Sequence, residues 1–398
     1  MNIRLGPGVM VAAAFVGPGT VTTASVAGAS SGIALLWAIL VSVVATIVLQ
    51  ELALRSALST NEDLAPLIRQ FGHARGWGIP VALLVVASIG LGNAAYQSGN
   101  LAGAALGLTH ATRVAFTQAV IVIGAIAAVL ILLDRYRLLE RIMIALVALM
   151  AGVLMSLAIA CLPELAAAQA QVAAIKSATD MTVVLALIGT TVVPYNLFLH
   201  ATAVRRRWQG VELDTALREA RLESAIAIII GGAVTAAIVV VATVVIAGDT
   251  SQNALDALLA GIDRRFPNVG SWAMGLGLFA AGLTSAIAAP VAAGWAVCGV
   301  MGWPSAAGSR PFKAVALSVL AIGLVFALVS ARPVGLIVLA QATNAVLLPV
   351  IAVLLLVIVN STLVPETYRN GWRRNALVAG VIALVVVLAA TKLLSMIG

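Results

Sequence analysis

Apolar runs of about 20 residues follow one another from residue 9 to residue 394, each long enough to cross a hydrocarbon core ~30 Å thick. Lipid offers no hydrogen bonds to a backbone, so such a chain must satisfy its own N–H and C=O groups, and runs of this length do so as helices. With 62% hydrophobic and 10% charged residues, an ordinary soluble domain is excluded. The chain therefore reads as an all-α membrane protein whose surroundings are a lipid bilayer. A net charge of +8 would suggest nucleic acid in a soluble protein, but here the basic residues must first be placed relative to the membrane, and no nucleic-acid partner is expected.

Eleven spans are expected, at roughly 9–29, 33–54, 79–106, 114–133, 142–162, 181–204, 225–247, 272–301, 314–330, 334–359 and 376–394. If the N-terminus lies inside, only Arg113, Lys176, Arg264, Arg265, Arg332 and Lys392 fall outside, leaving 17 of the 23 basic residues on the inner side. That predicts a cytoplasmic N-terminus and an extracytoplasmic C-terminus. Arg4 before an apolar stretch imitates a signal peptide, but the apolar pattern continues without a cleavage end, so this span is expected to be retained. Cys161 and Cys298 both fall inside apolar runs, which argues against a disulfide or a metal cluster.

Two spans are interrupted. Gly17-Pro18-Gly19-Thr20 and Val193-Pro194-Tyr195-Asn196 place a proline inside apolar helices, removing a backbone donor and crowding the preceding turn. Unwound backbone at membrane depth is tolerated only where it lines a protein-enclosed cavity. Breaks at Pro18 and Pro194, in corresponding places of two halves, therefore point to the binding site of a secondary transporter.

Around these breaks the residues are specific. Gly6-Pro7-Gly8, Gly17-Pro18-Gly19-Thr20, Ala27-Gly28-Ala29 and Leu35-Leu36-Trp37 resemble the first-helix region of the NRAMP divalent-metal transporters, which reads G-P-G, D-P-G-N, A-G-A and L-L-W. Gly189, Thr191-Val192, Pro194, Asn196-Leu197 and Leu199-His200 resemble that family's G-A-T-V-M-P-H-N-L-Y-L-H. Asp63-Leu64-Ala65, Ala281 to Ser285, and Gln341 with Pro349 extend the likeness over nearly the whole chain. The resemblance implies the LeuT-type 5+5 inverted repeat with broken helices 1 and 6. The repeats would cover about 5–165 and 178–360, with an eleventh helix at 374–398, in one transporter domain spanning 1–398. It also implies a bacterial inner membrane, a monomer, no enzymatic activity and no cofactor.

The departures concern the metal. Where the family carries its ligating Asp and Asn, this chain has Gly17 and Thr20; where it carries Met and a proton-handling His, it has Val193 and Tyr195. Asn93 and Tyr96 stand where an acidic pair is usual. Transition-metal sites want carboxylate and imidazole. A unit charge pair ~4 Å apart is worth about 4 kcal/mol at an effective dielectric of 20, so losing the only anion weakens a bare-metal site by several kcal/mol. Among the acids Glu51 comes closest to the core; the other fourteen, Glu223 included, read as loop or helix-end residues. A carboxylate proton relay is not expected.

What remains is a charge-neutral lining: Gly17, Gly19, Thr20, Val193, Tyr195 and Asn196, with Asn93, Tyr96, Ser285 and Gln341 around them. The leading expectation is a small zwitterion such as an amino acid. Half-helix N-termini at Thr20 and Asn196 would take its carboxylate, and carbonyls around Gly17 and Val193 its ammonium. Alternatives are a divalent cation with altered selectivity, hydrated magnesium or manganese, and a non-transporting sensor on the same fold. His200 reads as a packing residue or as a proton or inner-gate group. Thr20 reads equally as a helix cap, Asn93 and Ser285 as interhelical glue. Outside the spans, Thr60-Asn61-Glu62-Asp63 resembles a helix-start cap, and 252–262 has helical spacing suited to lying across the outer mouth.

Overall fold

Two prolines, each following an extended residue, divide the spans that matter most for this protein. The computed structural model describes residues 6–397 apart from 134, 175–180, 248–253, 268 and 331–332, with backbone alone at 136, 181–182, 333, 338–346, 388 and 392–397. The first half gives α1 (Pro7–Phe15), α2 (Pro18–Ser31), α3 (Leu36–Thr60), α4 (Leu64–Ala74), α5 (Gly78–Val85), α6 (Gly92–Thr112), α7 (Phe116–Leu132), α8 (Tyr136–Cys161) and α9 (Leu165–Ala174). The second gives α10 (Met181–Gly189), α11 (Pro194–Arg207), α12 (Leu213–Val245), α13 (Ala254–Arg265), α14 (Gly270–Met301), α15 (Arg310–Val329), α16 (Pro333–Val359) and α17 (Trp372–Ile397). No strand occurs among the described residues.

Both breaks are present. Gly17 is extended, with φ −103° and ψ −175°, and Pro18 opens α2 at a position where a missing N–H costs nothing. Val193 is extended too, with φ −111° and ψ 127°, and Pro194 opens α11. The first span is thereby cut into helices of 9 and 14 residues. Among the described residues, eight helical stretches are long and apolar enough to cross a bilayer, and Phe116–Leu132 and Leu347–Val359 are shorter apolar helices. Helix length alone thus gives fewer crossings than the eleven expected. One of the eight, Pro18–Thr60, holds α2 and α3 joined by the 3-10 turn Gly32–Leu35, where Gly32 takes φ +61°. A further irregularity that the sequence did not announce is the π-turn Val86–Leu91, immediately before Asn93 and Tyr96.

Helix α14 forms the centre and is buried through most of its length. It crosses α6 where both are small: a Cβ on Gly107 would meet the backbone of Gly275 and Phe279, and one on Gly282 would meet that of Ala104. Such contacts let two backbones approach closely without lipid between them. Outward, Leu40, Val44, Ile121, Val325 and Val387 are exposed, as faces turned toward hydrocarbon are.

The loop helices α4 and α13 form where expected, and Leu255, Leu258, Leu259 and Ile262 bury the apolar face of α13. The expected cap at Thr60–Asp63 is corrected. Asn61, in the left-handed region at φ +53°, ends α3, and the Asp63 side chain makes no capping bond. Instead its two carboxylate oxygens take Arg205 Nε and Nη2, at 2.7 and 3.0 Å, tying α11 to the start of α4.

Candidate functional site

An α-helix leaves its last carbonyls without intrahelical partners, and that end carries partial negative charge. Because α1 stops in the middle of the protein, its final carbonyls must be satisfied by neighbouring side chains. Thr284 Oγ1 shares its proton between Ala13 O, at 3.1 Å, and Ala281 O of its own helix, at 2.9 Å. Tyr195 OH donates to Ala14 O at 3.0 Å, and Ser285 Oγ lies 3.4 Å from both Ala13 O and Ala14 O. Thr20 Oγ1 donates to Phe15 O and shares a second hydrogen bond, 2.9 Å long, with Thr190 Oγ1. Asn196 Nδ2 reaches Val11 O at 3.4 Å. Thus α2, α11 and α14 all meet the open end of α1, with Thr190, just beyond α10, joined to it through Thr20. Thr20, Thr190, Tyr195, Asn196, Thr284 and Ser285 are buried there.

Tyr96 joins this set from α6. Its ring lies 5.6 Å from that of Tyr195, at 52°. A Cβ added to Gly17 would stand 2.8 Å from Ser285 Oγ and 3.7 Å from Tyr96 OH. Gly17 is therefore required for space rather than for φ, and the hydroxyls fill the volume that a larger residue would need. Sequence reasoning had selected Gly17, Thr20, Tyr96, Tyr195, Asn196 and Ser285, and the structure brings these together. Thr190 and Thr284 were missed; each sits beside a selected stretch, but only the packing shows that their hydroxyls turn inward.

Other expectations are corrected. The carbonyls of Gly17 and Val193 are engaged by Val21 N and Asn196 N, both at 3.1 Å, and so is the Asn196 amide that was to meet a carboxylate. Asn93 serves as interhelical glue, with Nδ2 on Ala289 O at 2.9 Å, as does Gln97 with Nε2 on Ala286 O. His200 is buried on α11 with Nε2 2.7 Å from Ser224 Oγ of α12. Gly19 is buried in the first turn of α2. Gln341 lies on α16, its side chain outside the described residues. Glu223 is no loop residue: it is 1% exposed and accepts from the backbone of Gly6 and Gly8. Its neighbours Arg218, Glu219 and Arg221 made the stretch read as a solvated helix end.

Among the described residues, no group of three or more His, Cys, Asp and Glu side chains is placed to hold a metal ion. The site is a neutral, oxygen-lined junction of two broken helices. A family model described as natural resistance-associated macrophage protein-like (Nramp) matches residues 8–395. The chain belongs to the Nramp family. The divalent metal cation transporter MntH 1 of Pseudomonas aeruginosa is 27% identical to this Nramp chain over 313 residues, covering 73% of it and 68% of the relative. The divalent metal cation transporter MntH of Brucella suis is 30% identical over 246 residues, 60% of this chain and 53% of the relative, so the match spans about half of that protein. In fold it resembles the manganese transporter of Eremococcus coleocola, with TM-score 0.77 and 20% identity over 99% of this chain and 87% of the other. It also resembles MhsT in complex with L-phenylalanine, with TM-score 0.62 and 18% identity over 100% and 98%. The fold is the LeuT type, and the chain is a multi-pass membrane transporter of the Nramp family.

Proposed function

We propose that this Nramp chain is a secondary transporter of a divalent cation that keeps much of its water, magnesium fitting best and manganese next. One observation carries the reading: a buried oxygen acceptor beside the break is left without a donor. The carbonyls of Ala13, Ala14 and Phe15, each already met by a hydroxyl, bring the negative end of α1 to the same place. The buried Asn196 Oδ1 has no hydrogen-bond partner among the described residues, an unmet acceptor that a metal-bound water would satisfy. Neutral oxygens suit hard cations, and magnesium dehydrates reluctantly and keeps waters that donate to such acceptors. A dehydrated transition metal is disfavoured because, among the described residues, no carboxylate, imidazole or thioether stands at the break.

The zwitterion expectation finds no support among the named relatives, which are divalent-metal transporters. The geometry weakens it as well, since the Asn196 amide and the hydroxyls of Thr20, Tyr195 and Thr284 already donate elsewhere. A sensor without transport has no support from those relatives either. The same proposal takes the N-terminus as cytoplasmic, the C-terminus as extracytoplasmic, residues of about 5–165 and 178–360 as the two inverted five-helix repeats, and the monomer as the working unit.

Flux into proteoliposomes tests this. Magnesium uptake, with slower manganese uptake and no uptake of labelled amino acids, is the expected result. Amino-acid flux without metal flux would overturn it.

A further inference from the structure

We propose that Glu223 is the positioning residue that latches α1 in its closed seat, and that α1 leaves that seat only when the charged contact breaks. The helix to be held is short, and its far end builds the candidate site. At its N-terminal end, Gly6 N and Gly8 N both donate to Glu223 Oε1 at 3.0 Å, and Gly8 N also lies 2.9 Å from Glu223 Oε2. A carboxylate here meets free amides and the positive end of a helix dipole together, which makes the bonds charge-assisted. Glycine is what lets the two helices come this close: a Cβ on Gly8 would stand 2.7 Å from Glu223 Oε2 and 2.8 Å from Ser224 Cα.

The next residue extends the same grip. Ser224 Oγ holds His200 Nε2 at 2.7 Å, and four residues earlier on α11 Asn196 reaches Val11 O. One turn of α12 therefore fixes both half-helices, α1 and α11, whose inner ends meet at the break. Helix α12 is itself anchored, by Arg221 Nη2 on Glu51 Oε1 of α3 at 2.7 Å and by Tyr368 OH on Asp214 Oδ1 at 3.1 Å. Loss of the Glu223 contact would thus free α1 from a rigid partner rather than drag that partner along. With no carboxylate among the described side chains at the break, Glu223 is the acid hydrogen-bonded to the amides of α1, at the end where a Cβ on Gly6 would also meet the carboxylate of Glu140.

The inference rests on the transporter reading only in needing α1 to move, and its test uses no cargo, so the two fail separately. The reporter is Val11→Cys, a position with no exposure in this structure, in a chain whose own buried Cys161 and Cys298 are replaced by alanine. Maleimide labelling of the detergent-solubilised protein is read in three backgrounds: otherwise unchanged, Glu223→Gln and Gly8→Ala. Glutamine keeps the shape and removes the charge; alanine keeps the charge and forces the helices apart. Labelling at least tenfold faster in both, with melting and size-exclusion profiles retained, is the expected result. If one variant does not fold, the other alone decides by the same tenfold criterion. Labelling within twofold of the parent in a folded variant would overturn the latch. Loss of folded protein in both would overturn it too, leaving Glu223 a purely structural residue.

Discussion

Restoring a carboxylate at position 17 should convert the neutral site into one that holds a bare transition metal. The obstacle is steric as well as chemical, because the Cβ of any residue there would stand 2.8 Å from Ser285 Oγ. Ser285 Cβ, at 3.6 Å, is in ordinary contact, so Ser285→Ala clears room by removing only the hydroxyl. In the double variant Gly17→Asp/Ser285→Ala, the new carboxylate would join the carbonyls of Ala13, Ala14 and Phe15 at the break. At ~4 Å and an effective dielectric of 20, a unit charge pair is worth about 4 kcal/mol, so a divalent ion gains about 8 kcal/mol. Removing a carboxylate from water costs several kcal/mol. A net gain of roughly 2–4 kcal/mol, or about 30- to 1,000-fold in affinity, is the expected balance. Calorimetric titration of manganese into purified parent, Ser285→Ala and double variant measures it. A folded double variant whose manganese affinity stays within threefold of Ser285→Ala would refute the claim that the missing anion sets the selectivity.

Three further outcomes follow from contacts already described. Tyr195→Phe removes the 3.0 Å bond to Ala14 O and should cost about 1–2 kcal/mol, seen as a lower melting temperature; unchanged melting would mean that the hydroxyl does not cap α1. Gly103→Ala would drive a Cβ into the Pro18 ring, an overpacking cost of about 1–3 kcal/mol, and melting equal to the parent would show that α6 does not support the first break so closely. Arg205→Ala leaves Asp63, 7% exposed, without its bidentate partner, at a cost of about 1–3 kcal/mol. Adding Asp63→Asn should recover part of that loss, and a second substitution that simply adds its own penalty would show the pair uncoupled.

Much of the architecture was legible because membrane folding is governed by local chemistry. Pro18 falls between Gly17 and Gly19, and Pro194 in a stretch resembling the family's second break, so both breaks could be placed from the sequence. Pro290 and Pro349, by contrast, sit inside the continuous helices α14 and α16. The crossing of α6 and α14 was legible in part, since the glycines of 90–107 and 275–294 announce small faces though not which face meets which. The loop caps were less legible. Asp63 has the chemistry of an N-cap but is claimed by Arg205, 142 positions away, because a bidentate ion pair outcompetes a single backbone bond.

The sequence by itself determined that this is a helical membrane protein, where two of its helices break, and that no acid stands at the breaks, because hydropathy, proline and residue identity act within a few positions. Only the tertiary structure decided how the polar groups are spent. Which carbonyls Thr20, Tyr195 and Thr284 would satisfy, and that Glu223 would be buried against Gly6 and Gly8, depend on partners from 5 to 271 positions apart. Hydrogen bonding is set by which groups the packed helices bring within about 3 Å of each other, and that proximity exists only once the chain has folded.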